Sequence, residues 1–165
     1  MLNRPKLDIP RSPLENTLAL LSIVGVILCV YLPWRYWGVL PDRIPTHFDF
    51  AGKPNGWGSK GALLILPIIE FVLFMVLSIV QRFPEVYNYP VKITEANARR
   101  QYTLARSLLA WLSFEIVWFF TYIEWKSIQA ALGQTQGLGP VAVVALMVTT
   151  MGTTVYYIRL SHQAK

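Results

Sequence analysis

Four long runs of apolar residues dominate the hydropathy pattern of the chain. They cover approximately Thr17–Tyr36, Ala62–Val80, Ser107–Trp125 and Val141–Arg159. Crossing the roughly 30 Å hydrocarbon core of a bilayer takes about 20 apolar helical residues, and each run is close to that length. The pattern therefore predicts an all-α integral membrane protein in which four transmembrane helices form a single domain over residues 1–165.

Local signals mark the ends of these helices. Ser12 and Glu15 stand in the spacing of a capping box before the first run. Ser59 is a candidate N-cap for the second run, and the glycine- and proline-containing segment 137–140 precedes the fourth. No glycine or proline separates the third run from the residues before it. We therefore expect its helix to begin near Thr94, outside the bilayer.

Composition agrees with a membrane protein. The chain is 54% hydrophobic and only 15% charged, with a mean hydropathy of +0.41, whereas globular proteins have about 25% charged residues. These values exclude a disordered chain and disfavour a soluble domain. The lone Cys29 rules out an intrachain disulfide or a thiolate metal cluster. Because no small-x-small cleavage site follows the first run, we expect an uncleaved anchor rather than a signal peptide.

The positive charges are distributed unequally between the two sides of the predicted bundle. One side holds ten basic residues: Arg4, Lys6, Arg11, Arg82, Lys92, Arg99, Arg100, Arg106, Arg159 and Lys165. The other holds five: Arg35, Arg43, Lys53, Lys60 and Lys126. The positive-inside rule then places both termini and residues 81–106 in the cytoplasm, and loop 37–61 outside a cell membrane. Because the charges are scattered through loops, the net charge of +6 indicates membrane topology, and we expect no nucleic-acid partner.

The loop after the first run is rich in residues that restrict or reverse the backbone. Pro41 and Pro45 favour an extended entry, and Gly52 and the segment 54–56 suit tight turns. Polar and aromatic residues alternate over 46–50, so that in a strand His47 would share one face with the aspartate two residues on. We expect a short hairpin at the membrane surface. Its functional interpretation is a lid on the bundle or a surface for an external partner.

The same loop carries an ordered motif, LPDRIPTHF followed by GKPNGWGSK. It resembles the signature of the family called domain of unknown function 1648, which also forms the N-terminal region of SdpI-like immunity proteins. The resemblance covers about residues 15–75. It implies a non-enzymatic membrane protein that recognises a peptide, lipid or small ligand at the outer face, in immunity or envelope stress. The implied motif residues are Pro41, Asp42, Pro45, His47, Phe48, Asp49, Gly52, Pro54, Gly56, Trp57 and Lys60.

His47 and Asp49 are candidate metal ligands. A zinc site needs three or four ligands, and only Asp42 is available nearby on this side of the membrane. We therefore expect a structural hydrogen bond between His47 and Asp49, no metal and no cofactor. No nucleophile elbow, zinc-protease helix or phosphate-binding loop occurs in the sequence, so we expect no enzymatic activity.

Two glutamates interrupt the apolar runs near their midpoints. Glu70 and Glu115 should lie at similar depth, and an acid inside a membrane should face the bundle interior. Thr149, Thr150 and Thr153 reach the same level in the fourth run and complete a predicted intramembrane polar layer. The acids either form structural hydrogen bonds to these threonines, couple a proton or cation to transport of a solute, or face separate environments.

The predicted cytoplasmic segment 81–106 has two interpretations. Its basic groups suit a helix end facing anionic lipid, and they also suit docking of a cytosolic regulator that the protein would sequester at the membrane. Four spans make a narrow bundle, which leaves room for a homodimer. The leading interpretation is recognition at the outer face; a small proton-coupled transporter using Glu70 and Glu115 is the alternative.

Overall fold

A computed structural model describes residues 4–165, apart from the side chains of residues 140 and 142. The four long helices are α1 (Pro13–Tyr36), α2 (Ile65–Val80), α3 (Ala98–Ala131) and α4 (Pro140–Gln163). The strands β1 (Arg43–Phe48) and β2 (Pro54–Ser59) lie between α1 and α2, and short 3₁₀ turns cover Lys60–Leu64 and Pro84–Val86. Each helix is long and apolar enough to cross a bilayer, α2 together with the turn before it. The predicted helical membrane fold is confirmed.

Side-chain hydrogen bonds hold the chain at the start of α1 and in the turn just before α3. The Ser12 hydroxyl accepts a hydrogen bond from the Glu15 N–H (3.2 Å), and the Glu15 carboxylate accepts one from the Ser12 N–H (2.7 Å). This is the predicted capping box. Thr94 and Asn97 form an equivalent pair of bonds before α3. The Thr94 N–H donates to the Asn97 side-chain oxygen at 2.8 Å, and the Asn97 N–H donates to the Thr94 hydroxyl oxygen at 3.3 Å. Because these bonds hold the chain in a turn, α3 begins at Ala98, four residues after the predicted start.

Helix α3 is the centre of the bundle. Helices α1, α2 and α4 each pack against it. The opposite surfaces of α2 and α4 carry large apolar side chains that the protein leaves exposed. On α2 they are Ile65, Ile68, Ile69, Phe71 and Val72, and on α4 they are Val144, Met147, Val148, Met151 and Val155. In water such a surface would be strongly unfavourable, so it is the surface that faces lipid.

The two ends of the bundle differ in construction. We call the end that carries the β1–β2 hairpin the hairpin face, and the end that carries residues 4–12, 81–97 and 164–165 the terminal face. At the terminal face the Arg106 guanidinium binds both carboxylate oxygens of Glu15, at 3.2 and 2.8 Å. It also donates to the carbonyls of Ile9 (2.6 Å) and Pro10 (3.0 Å). One buried arginine of α3 therefore fixes both α1 and the segment that leads into it.

The end of α4 is fixed to α3 by a second polar side chain. The Gln101 amide donates to the carbonyls of Ser161 (2.8 Å) and Ala164 (3.0 Å), and accepts from the Ser161 hydroxyl (2.6 Å). All of these groups are buried. Because the last carbonyls of a helix have no partner within the helix, Gln101 both caps α4 and sets its position against α3.

The α2–α3 connection is held against the N-terminal segment. Arg4 donates to the carbonyls of Glu85 (3.1 Å) and Tyr87. The Tyr87 hydroxyl in turn donates to the Val80 carbonyl at 2.7 Å. Burial raises the pKa of Tyr87 to about 12, so this hydroxyl stays neutral and remains a donor at physiological pH.

Candidate functional site

The loop between α1 and α2 folds into the predicted hairpin. Strand β1 pairs antiparallel with β2, with Arg43 opposite Ser59 and an irregularity at His47. Asp42 and Lys60 close its base: the Lys60 N–H donates to the Asp42 carbonyl at 3.0 Å, and the ammonium lies 3.2 Å from the Asp42 carboxylate. Ser59 then caps the following 3₁₀ turn, as predicted for this residue. The hairpin is therefore attached directly to the beginning of α2.

The tip of the hairpin is an aspartate-stabilised turn. The Asp49 carboxylate accepts a hydrogen bond from the Lys53 N–H (2.9 Å), and the Asp49 N–H donates to the Lys53 carbonyl at 2.8 Å. Gly52 adopts φ +76°, and a Cβ there would lie 2.7 Å from the Gly139 nitrogen. The Gly52 carbonyl accepts from the Leu138 N–H at 2.8 Å. The tip is thereby joined to the loop that precedes α4.

The predicted hydrogen bond between His47 and Asp49 is wrong. The His47 ring nitrogen Nδ1 lies 2.5 Å from the Asn55 side-chain oxygen on the opposite strand. Strand β1 ends at Phe48, so the alternation that placed His47 and Asp49 on one face does not continue, and the turn takes the Asp49 carboxylate. The described residues contain no group of three or more His, Cys, Asp or Glu side chains placed to hold a metal ion.

The other motif residues differ in exposure. Pro45 is buried and Phe48 half-buried, whereas Pro41 and Trp57 are exposed at the surface. Phe50 lies in the turn and is 84% exposed. An exposed ring beside a membrane surface suits the interface between lipid and water.

Two further motif residues set the spacing of the strands. A Cβ at Gly56 would lie 2.9 Å from the Cβ of His47, so glycine permits the close pairing there. Pro54, at the beginning of β2, is half-buried beside the turn. Together these residues bring the Asn55 side chain within reach of His47.

A groove of about 340 Å³ lies beneath the hairpin. One wall is β1, the floor comes from the beginning of α2, and the far wall comes from α3. Its lining is mostly apolar, with three polar side chains, Thr46, His47 and Ser127. Ile44 and Leu63, which also line the groove, are buried in the small core that supports the hairpin. The hairpin thus forms a partial lid over an apolar groove that ends in a few polar groups.

The predicted polar layer divides into two separate places. Glu70 is fully buried, and its carboxyl lies 3.4 Å from the Thr121 hydroxyl of α3 and beside Cys29 of α1. Glu115 instead accepts from the Thr153 hydroxyl of α4 at 2.7 Å. If Glu70 is level with Thr121, Glu115 lies six residues away along α3, or roughly 9 Å nearer the terminal face. The depth of Glu115 was predicted from the midpoint of the third apolar run. That prediction is wrong because α3 continues beyond the run to Ala131.

The threonines of α4 have unequal roles. Thr153 binds Glu115 as predicted, but the Thr149 and Thr150 hydroxyls donate to carbonyls one turn earlier in their own helix. Glu115, Thr149 and Thr153 line an open pocket of about 450 Å³ between α3 and α4. This pocket is separate from the groove and from Glu70.

A second buried acid, Glu124, lies one helical turn along α3 from the Thr121 hydroxyl that contacts Glu70, and sequence reasoning missed it. Glu124 is fully buried on α3, and a charge on Glu70 would repel a charge on it. Glu124 lies close to the end of the third apolar run, whereas the predicted polar layer was drawn from acids near the midpoints of the runs. The signal was present, because Ser113, Thr121 and Glu124 fall on one face of α3 at helical spacing and all are buried. Small and polar residues in such a row mark a helix–helix interface in a membrane.

The basic segment 81–106 offers fewer free charges than its composition indicated. Arg106 is buried and bound to Glu15. Arg82, Lys92, Arg99 and Arg100 remain exposed. Docking of a regulator here stays a prediction, with those four residues as its basic groups.

Comparison with known proteins supports the resemblance seen in the loop. The sequence model of the family described as domain of unknown function (DUF1648) matches residues 23–71. The predicted resemblance is confirmed for this segment. It extends from α1 through the whole hairpin to Glu70, and Glu124 lies outside it. The chain is thus a multi-pass membrane protein with a DUF1648 segment, and the function of that family is unknown.

A relative in an archaeon agrees. An uncharacterised protein of Archaeoglobus fulgidus is 32% identical over 95 residues, which cover 51% of this chain and 52% of that protein. The chain therefore spans about half the length of this relative. No solved structure matches the chain.

Proposed function

We propose that this protein recognises an apolar or amphipathic ligand at the hairpin face, and that this face is the outer face of a cell membrane. The observation that carries the proposal is the groove beneath the hairpin. Its volume, about 340 Å³, falls in the lower part of the roughly 300–1,000 Å³ range of small-molecule sites. It accommodates a large apolar side chain of a peptide or a short length of acyl chain.

The lining of the groove supports this choice of ligand. Ile44, Leu66 and Ile123 supply apolar walls, and Thr46 and His47 supply polar groups at one margin. A ligand with an apolar body and a polar end fits such a lining. Peptide toxins and envelope lipids both have this chemistry, so an immunity or envelope-stress role is the setting that we propose.

The orientation is proposed from charge. With ten basic residues on the terminal side and five on the hairpin side, the terminal face belongs in the cytoplasm. Thiol labelling tests it in a variant that lacks Cys29. A cysteine at Phe50, which is 84% exposed, should react with a membrane-impermeant reagent added outside cells, and one at exposed Arg99 should react only after lysis. The reverse pattern would overturn the proposed orientation.

Photocrosslinking tests the ligand. A photoreactive amino acid at Phe48 in the groove should yield an adduct of discrete mass when the protein is isolated from its own membrane. The control is the same amino acid at Val144 on the exposed surface of α4, which should yield only a mixture of lipids. Identical lipid mixtures at both positions would refute recognition by the groove.

Proton-coupled transport by Glu70 and Glu115 acting together receives no support from the geometry, since the two acids contact different helices. The buried acid that accompanies Glu70 is Glu124, and the chemistry of that pair is a separate question.

A further inference from the structure

Two buried carboxyl groups lie between α1, α2 and α3. Glu70 and Glu124 are each 0% exposed. One oxygen of Glu70 and both oxygens of Glu124 have no hydrogen-bond partner among residues 4–165. Buried polar atoms are nearly always paired in proteins. Glu124 is three residues along α3 from Thr121, which contacts Glu70, so the two acids lie at neighbouring levels of the bundle, and their unpaired oxygens are free to bind a proton.

The Thr121 hydroxyl is the group of α3 that contacts Glu70. The Thr121 oxygen lies 3.0 Å from the Val117 carbonyl, 3.1 Å from the Gly25 carbonyl and 3.4 Å from Glu70. A hydroxyl has one hydrogen, so this hydrogen is shared among three acceptors, and its contact with Glu70 is the longest of them. Thr121 therefore compensates little for the burial of the Glu70 carboxyl.

The charges around the pair indicate that it retains a proton. The titratable groups that act on the pair from the packed helices are Cys29 of α1, Glu70 of α2 and Glu124 of α3. None of these supplies a positive charge. Two carboxylates without a cation in a low-dielectric interior repel each other and lose their hydration, so the pair retains at least one proton.

The pair lies one helical turn below the groove. Ser127 of α3 and Leu66 of α2 line the groove, Glu124 is three residues from Ser127, and Glu70 is four residues from Leu66. One turn corresponds to about 5.4 Å along a helix. The groove therefore ends about one helical turn from the two acids, on their hairpin side.

The route to the terminal face is closed by a close contact of two helices. A Cβ built on Gly25 would lie 2.5 Å from a methyl group of Val117, so no space remains between α1 and α3 at this level. Beyond the contact, Ser22, Ser78 and Ser113 line a polar void of about 10 Å³, which approximates the space for one water molecule. Polar groups thus lie on both sides of a dry constriction.

We propose that Glu70 and Glu124 form a proton-binding site that exchanges with water at the hairpin face and is closed toward the terminal face by Val117 packed on Gly25. In each exchange a hydronium ion that reaches the pair from the groove gives its proton to one carboxylate oxygen, leaving water and a carboxylic acid. Release reverses this transfer. The ligand is a proton, and the proposal is independent of ligand recognition in the groove.

Infrared spectroscopy of the reconstituted full chain tests the site. At pH 7 the wild-type protein should show the C=O band of a protonated carboxyl, and the band should disappear on alkaline titration. The double variant Glu70→Gln/Glu124→Gln should remove this band, whereas either single variant leaves one buried acid and should only shift it. Glu115→Gln is the matched control that should leave the band unchanged. Glu70→Asp, which keeps an acid, should shift the band rather than remove it, and it serves if the glutamine variants do not fold. A band that survives both Glu70 and Glu124 substitutions, or no such band at pH 7, would overturn the proposal.

The native Cys29 tests the direction of access, because it is the one cysteine of the sequence and lies beside Glu70. A small impermeant thiosulfonate should modify it faster from the hairpin face than from the terminal face of sealed vesicles. We expect about a tenfold ratio, which corresponds to about 1.4 kcal/mol. Val117→Ala should bring the ratio close to one. Equal rates in the wild type, faster reaction from the terminal face, or no reaction from either face would refute one-sided access.

Discussion

The contact between Gly25 and Val117 gives a direct test of how α1 packs on α3. Replacing Gly25 by alanine adds one methyl group, whose carbon would lie 2.5 Å from Val117 Cγ1. Such a separation is far below the roughly 3.5–4.0 Å at which two carbons attract. The helices must therefore separate or Val117 must leave its rotamer.

The magnitude follows from two opposing effects. Inserting a methylene-sized group into a packed core costs about 1–3 kcal/mol, while replacing glycine by alanine inside a helix contributes up to about 1 kcal/mol of stabilisation. We expect a net loss of about 1–2 kcal/mol for Gly25→Ala. Shortening the neighbour in the double variant Gly25→Ala/Val117→Ala should restore part of this loss, giving a favourable coupling of about 1 kcal/mol.

Unfolding in mixed micelles of mild and denaturing detergent measures these differences. The matched control is Gly152→Ala on α4, where an added Cβ meets nothing within 4 Å; it should be neutral or slightly stabilising. Wild-type stability in Gly25→Ala, or losses that simply add in the double variant, would show that this contact does not exist in the membrane.

Two further predictions concern other structural contacts. Arg106→Gln leaves Glu15 buried without its partner and should cost about 3–5 kcal/mol of stability, as removal of one member of a buried ion pair does. The control Arg99→Gln, on the exposed surface of the same helix, should change stability by less than about 0.5 kcal/mol. Equal losses of stability in the two variants would contradict the ion pair. Gly52→Ala imposes a φ of +76° on a residue with a side chain and brings its Cβ to 2.7 Å from the Gly139 nitrogen, so proteolysis of the hairpin tip should become faster. Gly38→Ala, where nothing lies within 4 Å, should leave proteolysis unchanged, and a tip as resistant as the wild type in Gly52→Ala would refute the close approach.

Much of the fold was accessible from local patterns. Apolar run length predicted four spans because the thickness of a bilayer sets helix length. Ser12 and Glu15 marked the start of α1, and the prolines and glycines of the loop indicated the hairpin, because caps and turns depend on residues a few positions apart. The identity of the hairpin's cross-strand partners was less accessible. The pairing of His47 with Asn55 depends on the register of two strands and on where β1 ends.

The amino-acid sequence alone determined which segments enter the membrane and which residues turn the chain around. Only the tertiary structure decided that Glu70 packs beside Thr121 and Cys29, one turn from Glu124, rather than beside Glu115, and that Val117 closes on Gly25. The physical reason is that lipid and neighbouring helices are equally apolar. Hydropathy therefore reports how deep a helix lies but not its rotation about its own axis, and that rotation decides which side chains meet.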